Sequence, residues 1–316
     1  MLRDAFLTLS QSKTLARFMT SSRLPWYAAR RFVAGQTIDE ALAVVSDLNR
    51  SGMRATLDYL GENVATAAEA GDARAAYIET LDRIHATGVH SGISLKLTAL
   101  GMDVSTGVAT DNLRRVVAHA GGFERPIFVR VDMESSDYTA RTLDVFAAVR
   151  AEHRNVGIVV QSYLYRTADD VERLIAQGAG VRLCKGAYRE PERVAYPDKR
   201  DVDAAYLRLA GRLLSPEARA AGVYPAIATH DSAMIDWVKA HVAEHGVPRD
   251  AFEFQMLFGV RRDLQTALVG EGYRVRVYVP YGRQWYPYFM RRLAERPENV
   301  AFVLRNVLHE LRSGGR

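Results

Sequence analysis

The chain has 316 residues, 48% hydrophobic and 25% charged, a composition that is typical of a folded globular protein and excludes extensive disorder. Its formal net charge is +5, but the 42 lysines and arginines form no basic run, so we expect no nucleic-acid partner. The single cysteine, Cys184, excludes a disulfide framework, and no apolar run reaches the length of about 18 residues that a membrane-spanning helix needs. Without a secretory apolar segment at its start, the chain is expected to be cytoplasmic.

Residues 1–50 predict an N-terminal helical segment that packs on a domain formed by residues 51–316. Within this segment, residues 37–52 carry apolar side chains at helical spacing. Thr37 and Glu40 have the spacing of a capping box at the start of that helix, and Gly52 stands at its end.

After residue 50, short β-rich runs alternate with amphipathic helical stretches. The runs cover residues 55–61, 93–100, 127–134, 157–164, 181–188, 225–231, 252–257 and 275–282. Eight alternations over about 260 residues predict an α/β fold, a (βα)8 TIM-type barrel. A doubly wound sheet is the alternative, but no GxGxxG sequence opens a helix.

One of the helical stretches, residues 167–178, begins with a capping pattern. Thr167 is predicted to be its N-cap, with Asp170 completing the cap three residues later.

Polar residues collect at the carboxyl ends of the predicted strands, where barrel enzymes have their active sites. They are Glu62, Lys96, Asp132, Glu134, Gln161, Arg182, Lys185, Thr229, His230, Asp231, Gln255 and Tyr278. This concentration at one end predicts a functional site at the mouth of the barrel.

Two chemistries compete for that site. Asp132 and Glu134 would face one side of an extended strand, but no second histidine has metal-ligand spacing, so we expect no metal. Lys96 or Lys185 could form an imine, as in a class I aldolase-type lyase. Neither chemistry explains Arg291 and Arg292, adjacent guanidinium groups that repel each other unless an anion lies between them.

The motifs LDYLGE, SLKLTALG, VRVDMES, VRLCKGAY, ATHD, FEFQML, YVPYG and YFMRRLAE resemble those of proline dehydrogenase in order and spacing. The resemblance covers roughly residues 35–300 and is to the monofunctional bacterial form. It implies a distorted barrel that uses FAD to oxidise L-proline to Δ1-pyrroline-5-carboxylate and passes electrons to a membrane quinone. Pyrroline-5-carboxylate dehydrogenase would be the downstream enzyme, and association with the inner face of the cytoplasmic membrane would be reversible.

The resemblance also assigns residues to the substrate. Lys96, Arg291 and Arg292 would bind the carboxylate of proline, and Glu295 would support the arginine pair. The ring would be enclosed by four side chains, those of Tyr188, Leu257, Tyr278 and Tyr288. Separately from the resemblance, Glu62 follows the first predicted strand, which in a barrel adjoins the eighth, so Glu62 and Arg291 are predicted to form a gate across the mouth.

For the cofactor, the resemblance assigns catalytic roles to Arg182, beside flavin N5, and to Asp132, its fixed counter-charge. The rest of FAD would be lined by Met133, Gln161, Lys185, Gly186, Ala187, Thr229 and His230. Two positions depart from the family pattern: Cys184 stands where valine is common, and Arg189 where an aromatic residue is often found.

Overall fold

The computed structural model describes residues 23–61 and 64–295, and within them eight parallel strands close into a barrel in sequence order. The strands are β1 (Arg54–Tyr59), β2 (Ser91–Leu95), β3 (Val129–Val131), β4 (Val156–Gln161), β5 (Gly180–Cys184), β6 (Tyr224–Ala228), β7 (Glu253–Leu257) and β8 (Val275–Tyr281). Strand β8 pairs with β1, from Arg54 opposite Arg276 to Tyr59 opposite Tyr281, and this pairing completes the barrel. The predicted fold class is therefore confirmed.

The helices are α1 (Arg23–Ala29), α2 (Ile38–Arg50), α3 (Ala67–Thr87), α4 (Thr106–Gly121), α5 (Ser136–Glu152), α6 (Thr167–Ala176), α7 (Lys199–Leu214), α8 (Pro216–Ala220), α9 (Ser232–Glu244), α10 (Arg262–Gly270) and α11 (Trp285–Glu295). The strands are buried on both faces because helices cover the outside of the barrel and side chains fill its interior.

Helix α2 begins as the sequence predicts. The Glu40 backbone N–H donates to Thr37 Oγ1, and the Glu40 carboxylate accepts from the Thr37 backbone N–H. This capping box satisfies backbone donors that the first turn leaves unpaired. Gly52 follows the helix with φ +79°, a left-handed conformation that glycine adopts without strain.

The predicted cap of α6 is wrong. Thr167 is the first helical residue, not the N-cap, and its hydroxyl donates to the carbonyl oxygen of Gln161 at 2.6 Å. Asp170 accepts two hydrogen bonds from Arg166 instead. Thr167 is 2% exposed, so the long-range bond to the end of β4 replaces the local capping bond.

Helices α2 and α11 pack in different places on the barrel. Helix α2 packs against β8 and β1, and its buried face, with Leu42 and Val45, joins the main core. Helix α11 packs on α1 in a second apolar cluster, where the ring centroids of Trp26 and Trp285 lie 5.5 Å apart. Leu60, which follows β1, belongs to this second cluster. The α1–α11 pair therefore lies at the carboxyl end of the barrel, while α2 covers the wall between β8 and β1.

Candidate active site

A hydrogen-bonded group of four side chains, here called the mouth network, joins four strands: Ser94, Asp132, Arg182 and Tyr278. Asp132 Oδ1 accepts from Ser94 Oγ and from Arg182 Nη1, each at 2.8 Å. Its other oxygen, Oδ2, accepts from the Tyr278 hydroxyl at 2.9 Å. Because one carboxylate accepts all three donors, it fixes their relative positions.

Arg182 is the cation of this network and is 5% exposed. Its Nε donates to Gln255 Oε1 at 2.5 Å and its Nη1 to Ser94 and Asp132, while its guanidinium carbon lies 5.3 Å from the Tyr278 ring centroid. Within residues 23–61 and 64–295, all hydrogen bonds of Arg182 come from Nε and Nη1, which leaves Nη2 available to a ligand.

Tyr278 is a proton donor in this arrangement. Burial, followed by the negative charges of Asp132 and Asp58, raises the pKa of Tyr278 well above its usual value. The phenol therefore keeps its proton at neutral pH and donates to Asp132.

Lys96 and Asp58 lie close to the mouth network. Lys96 is 9% exposed, and Asp58 is 1% exposed. Burial and then the charge of Asp58 raise the pKa of Tyr77, while Lys96 opposes that shift and Asp132 adds to it. All three charges therefore act on one buried phenol, which places them in one region of the barrel.

A cavity of about 530 Å³ opens at the ends of β5 and β6. Lys185, Thr229 and His230 line it, together with Ser232 and Arg261, so the structure brings three predicted cofactor-binding residues together. Asp231 lines it too, so the cavity combines two cationic side chains and one carboxylate at the start of α9.

Lys185 is ion-paired on this cavity. Its Nζ lies 2.5 Å from Asp203 Oδ1 and 2.8 Å from Asp231 Oδ2. The hydrogen bond from Lys185 lowers the pKa of Asp231. Two ion pairs are the opposite of the apolar or cationic surroundings that activate an imine-forming lysine, so they disfavour the lyase chemistry at this position.

Gly186 follows Lys185 in a conformation that requires glycine. Its φ is +126°, and a Cβ at this position would lie 2.6 Å from the ring of Tyr163. Gly186 and Ala187 are both exposed, so their backbone is open to close approach by a ligand.

Met133 and Gln161 are buried beside the network, and Gln161 Nε2 donates to the carbonyl oxygen of Glu134.

The expectation that Asp132 and Glu134 share one face of a strand is wrong, because β3 ends at Val131. Glu134 accepts from the backbone N–H and the hydroxyl of Thr98, whereas Asp132 serves the mouth network. Across the described residues, no three His, Cys, Asp or Glu side chains form a group suited to a metal ion.

Helix α11 carries the predicted carboxylate-binding arginines. Tyr288 is 6% exposed, and the guanidinium carbon of Arg292 lies 5.2 Å from its ring centroid. Arg291, the residue before Arg292, is half-buried. Glu62 and the side chain of Glu295 lie outside the described residues.

Leu257 and Tyr188 are half-buried at the ends of β7 and β5. The Leu257 backbone N–H donates to His230 Nε2 at 2.9 Å, which ties the predicted ring-enclosing residue to the cofactor cavity. Burial raises the pKa of the neighbouring Cys184 to about 11, so its thiol stays protonated at neutral pH.

Three residues of these clusters were not predicted from the sequence: Ser94, Arg261 and Glu253. Ser94 gives no signal in an apolar strand, and Glu253 stands at the amino end of its strand, where polar residues are expected to be structural. Arg261 carries a signal only in three dimensions: its φ is +49°, the one positive value among the described non-glycine residues.

Charged side chains collected at the carboxyl end of a closed (βα)8 barrel define the class: this is the architecture of a barrel enzyme. A sequence profile of the proline dehydrogenase family matches residues 41–305. Among individual proteins, the chain is 45% identical to proline dehydrogenase 1 of Bacillus subtilis strain 168, over 98% of this chain and 99% of that one. It is 42% identical to proline dehydrogenase of Deinococcus radiodurans, over 97% of each chain.

Among solved structures, the chain resembles proline utilization A (PutA) from Bdellovibrio bacteriovorus inactivated by N-propargylglycine, with a TM-score of 0.78 and 29% identity. That match covers 85% of this chain but 32% of the larger protein. The chain belongs to the proline dehydrogenase family, and the predicted resemblance is confirmed.

Proposed function

We propose that this protein oxidises L-proline to Δ1-pyrroline-5-carboxylate with FAD as its cofactor and a membrane quinone as the final electron acceptor. Family membership supports proline dehydrogenase activity. The observation that carries the proposal is Arg182, a nearly buried cation held by three side chains with Nη2 available at the mouth. A positive charge fixed there suits a flavin, because it stabilises the negative charge of the reduced form.

The residues present fit FAD. Lys185 and Arg261 would hold its anionic pyrophosphate at the start of α9, where Thr229 and His230 also line the cavity. The exposed backbone of Gly186 and Ala187 would let the cofactor approach closely. Met133 and Gln161 would line the side next to Arg182. When bound, FAD supplies the acceptor for the hydride that leaves the ring carbon next to the nitrogen of proline.

The substrate is proposed to bind with its carboxylate on Lys96, Arg291 and Arg292. Packing against the Tyr288 ring holds Arg292 in place before the substrate arrives, which reduces the entropy lost on binding. Glu295 would support this pair. The ring would lie among the apolar faces of Tyr188, Leu257, Tyr278 and Tyr288.

The protein residues orient the reactants and need not take a proton from carbon. Oxidation forms a C=N bond, so the nitrogen must carry a lone pair, and the rate should rise as the pH approaches the pKa of the proline nitrogen. Asp132 holds Arg182 and Tyr278 in place, and the raised pKa of Tyr278 keeps this donor protonated across that range.

A gate formed by Glu62 and Arg291 is also proposed, because the loop after β1 adjoins β8 in the closed barrel. Closing the mouth would exclude water during hydride transfer. Glu62→Ala should slow flavin reduction or weaken proline binding while the FAD content stays normal. Arg291→Ala should have a larger effect, and the double variant should not show the sum of the two losses. Additive losses in stopped-flow flavin reduction would count against the gate.

The quinone acceptor requires contact with lipid. No helix in the described part of the chain is long and apolar enough to cross a membrane. We therefore propose a cytoplasmic protein that associates reversibly with the inner face of the cytoplasmic membrane, with pyrroline-5-carboxylate dehydrogenase consuming its product. Flotation with anionic liposomes at low salt tests this association; protein that stays at the bottom of the gradient contradicts it.

The experiment that tests the activity is an anaerobic titration of the purified protein with L-proline. A yellow protein whose flavin absorbance is bleached by L-proline supports the proposal. A colourless protein that borohydride inactivates only with a carbonyl substrate would instead support the aldolase-type lyase with Lys96 or Lys185.

A further inference from the structure

A chain of hydrogen bonds runs from Arg182 down through the interior of the barrel. Arg182 Nε donates to Gln255 Oε1 at 2.5 Å, and Gln255 Nε2 donates to Glu253 Oε1, also at 2.5 Å. Glu253 accepts in turn from Arg276 Nε at 2.6 Å and from Arg276 Nη2 at 3.1 Å. Arg276 Nη1 donates to the carbonyl oxygen of Ala55, which anchors the chain to the backbone of β1.

The two ends of this chain permit one orientation of the Gln255 amide. Arginine Nε can only donate, so it must meet the amide oxygen, and an ionised carboxylate can only accept, so it must meet the amide nitrogen. Glu253 is ionised: burial raises its pKa, but Arg276, the hydrogen bond from Gln255 and the charge of Arg130 together lower the pKa overall. A flipped amide would place donor against donor at Arg182 and acceptor against acceptor at Glu253.

The chain is sealed from water. Gln255 is 4% exposed and Glu253 is 2% exposed, and the backbone oxygen of Gln255 also accepts from the Thr229 N–H at 3.2 Å. Water cannot replace a lost partner for Arg182 Nε at such depth, so removing the amide would leave a buried donor unsatisfied.

We infer that Gln255, oriented by Glu253, is a positioning residue that sets the direction of the Arg182 guanidinium and so of its Nη2 group at the mouth. This inference rests on the proposed function, in which Nη2 faces the cofactor. Asp132 and Ser94 fix one edge of the guanidinium at Nη1, and Gln255 fixes Nε. Partners at both nitrogens restrict the side-chain torsions that aim the guanidinium more tightly than partners at Nη1 alone.

The test is Gln255→Leu, which removes both amide groups at similar volume. Asn112→Leu is the matched control: Asn112 is 5% exposed on α4, accepts from Arg74 at 2.8 Å and donates to the Leu100 carbonyl at 3.0 Å, with no link to Arg182. Gln255→Glu is the conservative variant, because it keeps an acceptor for Arg182 Nε and can share one proton with Glu253.

We expect Gln255→Leu to retain FAD, to lower kcat about 10- to 100-fold with a change in the KM for proline below about threefold, and to lower the flavin reduction potential. Gln255→Glu should recover most of the rate and the potential, and Asn112→Leu should leave both at the wild-type values. If Gln255→Leu does not fold, Gln255→Met tests the same chain, because its unbranched side chain also lacks the amide.

The inference is overturned if Gln255→Leu, or Gln255→Met in its place, matches Asn112→Leu in both rate and potential. It is also overturned, together with the proposed function, if the wild-type protein holds no flavin or if L-proline does not bleach it. The wild-type titration therefore separates a failure of the positioning role from a failure of the proposed function.

Discussion

Two clusters of side chains inside the barrel each combine arginine with a carboxylate, but their hydrogen bonds have different endpoints. The mouth network lies toward the carboxyl ends of the strands, and a second group, here called the base network, lies toward their amino ends and consists of Arg130, Glu253 and Arg276. In the base network, Arg130 Nη1 donates to the carbonyl oxygens of Ile158 and Gly180, and Arg276 donates to Glu253 and Ala55.

The difference lies in where the hydrogen bonds end. The base network ends on backbone carbonyls of neighbouring strands, so its arginines link those strands to one another. The mouth network ends on side chains and leaves Arg182 Nη2 for a ligand. Burial, and then the charge of Arg182, lowers the pKa of Arg130 to about 9, which shows how unfavourable this positive charge is in the interior. The comparison predicts that damage to the base network reduces stability and damage to the mouth network reduces activity.

The largest expected effect is on stability. Arg276→Met should lower the free energy of unfolding by about 3–5 kcal/mol, because it leaves the Glu253 carboxylate buried without its ionic partner. Urea unfolding measures the loss. Replacing Glu253 by leucine in the same protein should recover much of it, since the isolated charge is then gone. A double variant as unstable as the single one would show that the ion pair is not the cause.

A smaller effect, on activity, is expected from Asp132→Asn. The amide removes the negative charge that offsets Arg182, and its NH2 group replaces one of the two oxygens that accept from Arg182 and Tyr278. Flavin reduction by L-proline should slow about 100-fold, with FAD content unchanged. The control is Asp170→Asn, because Asp170 is a buried carboxylate that binds Arg166 outside the mouth. Its flavin should be reduced at the wild-type rate. Equal rates in the two variants would refute the assignment.

The base network should also appear in the acid stability. The pKa of Glu253 lies below its usual value of 4.5, so its contribution to stability is present above that pH and is lost as the pH falls through the folded-state value. Wild-type protein should therefore lose stability in acid more steeply than Glu253→Gln. The exposed Glu244→Gln serves as a control that should follow the wild-type curve. Parallel curves for wild type and Glu253→Gln would contradict the linkage.

The smallest effect is expected far from both networks. Thr37→Ala should cost about 1 kcal/mol of unfolding free energy, because it removes the N-cap of α2. Since α2 covers the wall and not the mouth, the rate of flavin reduction should not change. A slower rate in this variant would show that the wall helix does affect the site.

Local pattern was enough to predict the eight strands, but not where some of them end. The second run was predicted over residues 93–100, yet β2 ends at Leu95. Leu97, Ala99 and Leu100 are fully buried in the turn that follows, so their apolar character reflects tertiary packing at the mouth and not a longer strand. The same limit applies at Thr167, where a bond to the end of β4 overrides a local cap.

The candidate site was predictable as a location and only partly as a set of contacts. Strand ends identify Lys96 and Asp132, which directly follow β2 and β3, whereas Arg182 lies in the middle of β5. The bonds to Ser94 and Gln255 depend on barrel closure, which brings together strands that are distant in sequence. The position of α11 on α1, away from the barrel wall, likewise depends on packing between residues at opposite ends of the chain.

The central claim is that Arg182 in the mouth network serves catalysis and Arg130 in the base network serves the fold. Anaerobic stopped-flow bleaching of the flavin by L-proline in Arg182→Met and Arg130→Met, each at matched folded protein, tests it most directly. We predict that Arg182→Met slows bleaching about 100- to 1,000-fold while Arg130→Met stays within about threefold of wild type despite lower stability. Bleaching at the wild-type rate in Arg182→Met, or an equal loss in Arg130→Met, would contradict the claim.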